Sequence, residues 1–256
     1  MKKTLILLAT LFALVPMVQA TSAVHIKELY ARDGDSCYRM GDYAAAIDIY
    51  QSVLASGFDS PELYYNLAGA YYRQGDITHA ILNYERALRL KPSMHDAREN
   101  LELARSKTVD RIEQLPQLYV VRMFNNLCSN VTPRAWRTIW LLLLALLVAA
   151  VVVVIVGSRP RLRRWALGTA VAMGVLLTVA TIFLTTSTTR YNSHADAIVM
   201  QQSLTVKSSP EHQSADKLIL HEGTRVHITE SLSGWVKITI ADGTTGWCPA
   251  ETIERI

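Results

Sequence analysis

Hydrophobic positions change rhythm several times along this chain, and each rhythm predicts a different element. An unbroken apolar run, Leu5–Val15, follows Lys2 and Lys3 and is followed by Val18-Gln19-Ala20, a sequence signal peptidase accepts. Residues 1–20 therefore read as a cleaved secretory signal, with an uncleaved anchor as the alternative. From residue 27 to about 105 apolar positions recur at helical spacing. Between Gln117 and Val131, Val120, Met123, Phe124, Leu127 and Val131 oppose Arg122, Asn125, Asn126 and Ser129, an amphipathic helix. Two further runs, Trp136–Val156 and Trp165–Leu184, are apolar throughout apart from Arg137 and scattered small polar residues. At about 1.5 Å per residue each can cross a hydrocarbon core of roughly 30 Å, so both are predicted transmembrane helices joined by a loop over 157–164. Beyond a polar linker, 185–196, the alternation becomes period two through Ile256.

The helical region contains an internal repeat, in which Gly41-Asp42 recurs as Gly75-Asp76. One unit covers Lys27–Ser60 and the other Pro61–Met94; His95–Ser106 supplies a capping helix with Ala97, Leu101 and Ala104 on one face. In the second unit Tyr64, Leu67, Ala68, Gly69, Tyr71, Gly75, Ala80, Tyr84, Ala87 and Pro92 closely resemble the tetratricopeptide repeat. The first unit is looser, with Asp33 at a leucine position and Cys37 at a tyrosine position. The resemblance implies an α-solenoid whose first helices line a groove for another protein. At the groove positions stand Tyr38 and Arg39, then Tyr65, Asn66, Tyr72 and Arg73. Tyrosine and arginine are the residue types that concentrate binding energy.

In the period-two region, Ala197–Met200, Leu204–Val206, Leu218–Leu220, Arg225–Ile228, Trp235–Ile238 and Gly246–Cys248 are predicted strands, with Asp242-Gly243 as a hairpin turn. Residues 197–256 resemble the bacterial SH3 domain through Leu204–Pro210, Glu222-Gly223-Thr224, Gly234-Trp235 and Gly246-Trp247. That resemblance implies a small barrel binding peptides or cell-wall material. Trp235 and Trp247 either line its groove or fill its core. His221 and His227 read as surface residues. The fold class is thus multi-domain: an all-α repeat solenoid, a two-helix transmembrane hairpin and an all-β SH3-like barrel.

Charge adds direction. The loop carries Arg159, Arg161, Arg163 and Arg164, and short arginine-rich loops stay in the cytoplasm. Both flanking domains then lie on the opposite side, the periplasm of a bacterial inner membrane. The formal charge of +4 includes Lys2 and Lys3 of the signal, most of the remaining excess is arginine beside the membrane, and no soluble segment carries a basic stripe suited to nucleic acid. Cys37, Cys128 and Cys248 fall in separate segments and imply neither a disulfide framework nor a metal site. Hydrolase, nucleotide-binding and redox motifs are missing, so the expectation is a protein that is not an enzyme and uses no cofactor.

The order of signal, repeats, hairpin and barrel, with Asn83–Leu90, Asn100–Ile112, Leu220–Thr224 and the terminal Ile253–Ile256, is similar to the BatE family of the Bacteroides aerotolerance (Bat) operon. The resemblance implies an envelope adaptor in a system linked to oxidative stress, with von Willebrand factor A domain membrane proteins as partners. Attachment to peptidoglycan through the SH3 domain is the alternative. The amphipathic segment 117–131 could lie on the bilayer, bind a partner or pack in a core.

Overall fold

A computed structural model describes residues 32–112, 119, 123–124, 131–156, 158–193 and 195–256. The signal expected at 1–20 lies outside them, as does most of the segment 117–131. The chain divides into two compact units, one from the repeat region and one holding the hairpin and barrel together with 89–94 and 110–112.

The first unit contains α1 (32–40), α2 (Tyr43–Ala55), α3 (Pro61–Gln74), α4 (Ile77–Leu90) and α5 (His95–Arg105). Its repeat is visible in the turns. Gly41 and Gly75 take left-handed backbone angles, φ 84° and 97°, which only glycine adopts without strain. Their amides reach back to Tyr38 O and Tyr72 O, and those of Asp42 and Asp76 to Cys37 O and Tyr71 O. Asp42 and Asp76 then cap the next helix, accepting from Ala45 N at 3.1 Å and His79 N at 3.0 Å. A glycine that ends one helix and an aspartate that starts the next thus make a hairpin from two residues. Ser60 caps α3 through Leu63 N at 3.1 Å, with Pro61 in its first turn.

Ala46, Ala68, Ala70, Ala80, Ala87, Ala97 and Ala104 are fully buried, letting helix backbones approach, while Tyr50, Leu67, Ile81, Leu82 and Tyr84 fill the space between. Asp33, at the position equivalent to buried Leu67, is exposed, which spares the carboxylate a desolvation penalty. Glu85 is buried and pairs with Arg105.

In the second unit, α6 (Pro133–Val156) and α7 (Pro160–Ser193) form an antiparallel hairpin. Both are long and apolar enough to cross a membrane. Leu141, Leu142, Leu146, Val152, Val171, Leu176 and Ile182 are exposed along their length, a surface too apolar for water. Aromatic packing closes the end away from the Arg159–Arg164 cluster. Trp136 stacks on Phe183 with centroids 4.7 Å apart, Phe124 packs on the same ring, and Trp140 Nε1 donates to Thr181 Oγ1 at 3.0 Å.

Two features depart from the sequence reading. Helix α7 continues through most of the segment expected as a linker, to Ser193. Thr178, Thr181, Thr185 and Thr188 return their hydroxyls to carbonyls one turn back, at 2.7–3.0 Å. Those bonds satisfy the polar side chains without breaking the helix. At its other end α7 begins at Pro160, so Arg161, Arg163 and Arg164 stand on a helical turn rather than in the loop. Cations at a helix N-terminus oppose the macrodipole, by about 0.3–1 kcal/mol each; helix stability therefore does not account for their placement.

The barrel has seven strands: β1 (Asp196–Val199), β2 (Ser203–Lys207), β3 (Asp216–His221), β4 (Arg225–Leu232), β5 (Trp235–Thr239), β6 (Thr245–Pro249) and β7 (Ile253–Arg255). Pairing is antiparallel in the order β3-β2-β6-β5-β4-β1-β7. The period-two pattern buries Val206, Val226, Val236, Ile238 and Cys248 in one core drawn from β1 to β6. Ser233 and Gly234, φ 47° and 84°, make the tight β4–β5 turn. Strand β7 has too few residues to show alternation, so the pattern of the sequence does not predict it.

Candidate functional site

The six groove positions of the repeat unit do not share one environment. Asn66 is held inward, its Nδ2 donating to Asp35 Oδ1 at 2.9 Å, and Asp35 also accepts from Tyr50 at 2.5 Å. That carboxylate ties α1 to α2 and α3. Burial, reinforced by Asp35, pushes the Tyr50 hydroxyl well above its usual range, so it remains a donor. Tyr65 accepts from Asn100 Nδ2 at 3.1 Å and packs on Tyr84, and burial likewise raises its hydroxyl. These residues hold the first helices of successive units in register.

Tyr38, Arg39, Tyr72 and Arg73 form a second set at the turn end of the helices. Tyr38 meets Tyr43 edge-on at 5.4 Å, and Arg73 lies over the Tyr43 ring at 5.6 Å while its Nε donates to the hydroxyl at 3.1 Å. Lys107 sits over the Tyr72 ring at 4.3 Å. Arg39 and Arg73 are exposed, and Tyr38 and Tyr72 half-buried. The repeat signature does not single out Tyr43 or Lys107, although Lys107 follows Arg73 at the same interval that separates Arg73 from Arg39.

On the barrel, Trp235 and Trp247 are not core. Val236, Ile238 and Cys248 take the inward positions, so the alternation turns both indoles to the outer face. Lys237 pairs across strands with Trp247 and lies 5.9 Å from its ring; Trp235 pairs with Pro249 and meets His212 edge-on at 5.0 Å. The result is a half-buried aromatic surface flanked by Lys207, which is bound to Asp216 at 2.6 Å.

His221 and His227 are both engaged. His227 shares Asp196 with Arg225, at 2.9 and 2.7 Å. His221 meets Asp110, far upstream in sequence. The Asp110 carboxylate accepts from His221 N at 2.7 Å, His221 Nδ1 at 2.7 Å and Thr224 Oγ1 at 2.6 Å. Burial raises its pKa, but these three donors outweigh that and hold it below the ordinary value. Ile112 packs against the barrel core beside it.

Arg159, Arg161, Arg163 and Arg164 are exposed, with Trp165 (78% exposed) beside them. For metals, the described residues bring together only exposed His95, Asp96 and Glu99 on the first turn of α5.

Comparison with known proteins matches this layout. Residues 33–95 fit the tetratricopeptide-repeat family model, and residues 202–254 the bacterial SH3 domain model. The chain joins a tetratricopeptide-repeat domain to a bacterial SH3 domain. Over 75 residues it is 36% identical to photosystem I assembly protein Ycf3 of Cyanophora paradoxa, covering 28% of this chain and 43% of that protein. The chain thus spans less than half the length of that relative. Among solved structures, MamA (41-end) from Desulfovibrio magneticus RS-1 is 17% identical with a TM-score of 0.30, covering 65% of this chain and 92% of that one. That likeness is remote. Both domains are binding modules, and the coarse function they indicate is protein interaction.

Proposed function

We propose that this protein is a membrane-anchored interaction adaptor of the bacterial envelope, acting without catalysis. The observation that carries it is the density of arginine at the hairpin's short connection. Arg159, Arg161, Arg163 and Arg164 crowd that connection beside Trp165, while the opposite end, with Trp136, Trp140 and Phe183, carries the sparser Arg134 and Arg137. Arginine held inside the cell and aromatic rings at each interface favour a two-pass inner-membrane protein with both domains in the periplasm. Tyr38, Arg39, Tyr65, Tyr72 and Arg73 would then present a protein-binding face, on helices that Asn66 ties together through Asp35. The resemblance to the BatE family points to von Willebrand factor A domain membrane proteins as partners, in an aerotolerance or oxidative-stress system.

Two experiments test this. Alkaline phosphatase fused after Ile256 should be active, and a fluorescent protein at the same point dark; the reverse pattern refutes the topology. A photo-crosslinking residue at Tyr65 in native membranes should capture a membrane or periplasmic protein, and its failure to capture any refutes the adaptor.

A second reading has its own support. The outward Trp235 and Trp247 suit the apolar faces of sugars, and a cell-wall ligand would use them. Purified protein should then sediment with isolated peptidoglycan and lose that with Trp247→Ala; wild-type protein left in the supernatant removes this reading.

A further inference from the structure

The repeat domain carries a cation at or just past the C-terminal end of α1, α3 and α5: Arg39, Arg73 and Lys107, evenly spaced along the sequence at the interval of the repeat. The helix dipole favours a cation at each helix C-terminus, but two observations go beyond that. Two of the three are laid on tyrosine rings, Arg73 on Tyr43 and Lys107 on Tyr72, with Tyr38 edge-on to Tyr43. And among the described residues none of the three makes an ion pair, whereas Arg105, Lys207, Arg225 and Lys237 all do. Arg73 and Lys107 are positioned by aromatic faces, and all three cations are left without an ion-pair partner among the described residues.

We infer that Arg39, Arg73 and Lys107 form a ladder that reads an extended acidic peptide. This rests on the adaptor reading and names the chemistry of its partner. Helices pack about 8–10 Å apart, and an extended chain advances about 3.3 Å per residue. Successive rungs therefore meet every third residue of the peptide. The segment recognised carries Asp or Glu at i, i+3 and i+6, with intervening side chains free to lie on Tyr38, Tyr43 and Tyr72. Rings beneath Arg73 and Lys107 limit their rotamers, so less side-chain entropy is lost when a carboxylate binds there.

The test uses full-length protein in detergent micelles and fluorescein-labelled peptides of about nine residues, read by anisotropy. One peptide has glutamate at every third position. A second has the same composition with glutamate at every second position, and a third has glutamine in place of glutamate. The first should bind at least about tenfold tighter than the other two, and weaken as salt rises. Lys107→Gln and Arg39→Gln should each lose about threefold, and the triple glutamine variant should lose binding while keeping its helical circular dichroism. Replacing both arginines by lysine should restore most of it. Equal binding of the two glutamate peptides, or an unchanged Kd for Lys107→Gln, overturns the ladder. If the triple variant still crosslinks its partner through Tyr65, the ladder fails and the adaptor stands; if Tyr65 captures nothing in the wild type either, the adaptor fails as well.

Discussion

Asp110 offers the most exacting test of the barrel. Its carboxylate is only 14% exposed and accepts three bonds at 2.6–2.7 Å, from the His221 amide, the His221 ring and Thr224. Bonds to a charged acceptor contribute about 1.5–3 kcal/mol each when shielded from water. The ring, 35% exposed, belongs at the low end, and bonds sharing one carboxylate do not add in full. Asp110→Ala should therefore destabilise the barrel by about 2–4 kcal/mol, a fall in Tm of roughly 10 °C or more for a domain of this size. Asp110→Asn keeps an acceptor and should cost about half as much. The sign with pH follows from the depressed pKa. The contribution is complete above the ordinary carboxylate value of 3.8 and is lost as pH falls through the lower folded value. The gap between wild type and Asp110→Ala that Asp110 ionisation supplies should therefore narrow only as pH falls below 3.8. Hydrogen–deuterium exchange of peptides covering 216–228 in micelle-bound protein reports it directly. If protection there is unchanged and the barrel transition moves by less than about 0.5 kcal/mol, Asp110 is a passive surface residue and the reasoning is refuted.

Other outcomes follow from packing. At Gly246 an added Cβ would stand 2.9 Å from the Lys207 carbonyl and closer still to Val206, which is buried. Gly246→Ala should cost about 1–3 kcal/mol or prevent the barrel from folding, as urea titration would report. At Gly34 a Cβ would meet Tyr50 Cε1 at 2.5 Å. Gly34→Ala should destabilise the repeats despite the better helix propensity of alanine, and should cost less beside Tyr50→Leu, a coupling a double-mutant cycle measures. Burial pushes the Cys248 thiol up to about 11, against a smaller opposing effect of Thr252. In native protein at pH 8, Cys248 should alkylate at least about a hundredfold more slowly than in urea, read by peptide mass mapping.

What the sequence could carry by itself is whatever depends on local period and local conformation. The recurrence of Gly-Asp at the repeat interval specified two helical hairpins, because a left-handed glycine and an aspartate cap act within their own turns. Long apolar runs specified two helices able to cross a membrane, and alternation with turn glycines specified most strands. The tertiary structure decided what depends on partners distant in sequence. Whether Trp235 and Trp247 were core or surface was open until the register placed Val236, Ile238 and Cys248 inward, since alternation alone does not say which face is buried. Asn66 fits a groove by position, yet Asp35, 31 residues earlier, holds it. The polar stretch after Leu184 has the composition of a linker, yet its hydroxyls are satisfied by carbonyls of the same helix. Asp110 lies 111 residues from His221, and no spacing rule links them; only folding brings a carboxylate to the donors that fix its charge.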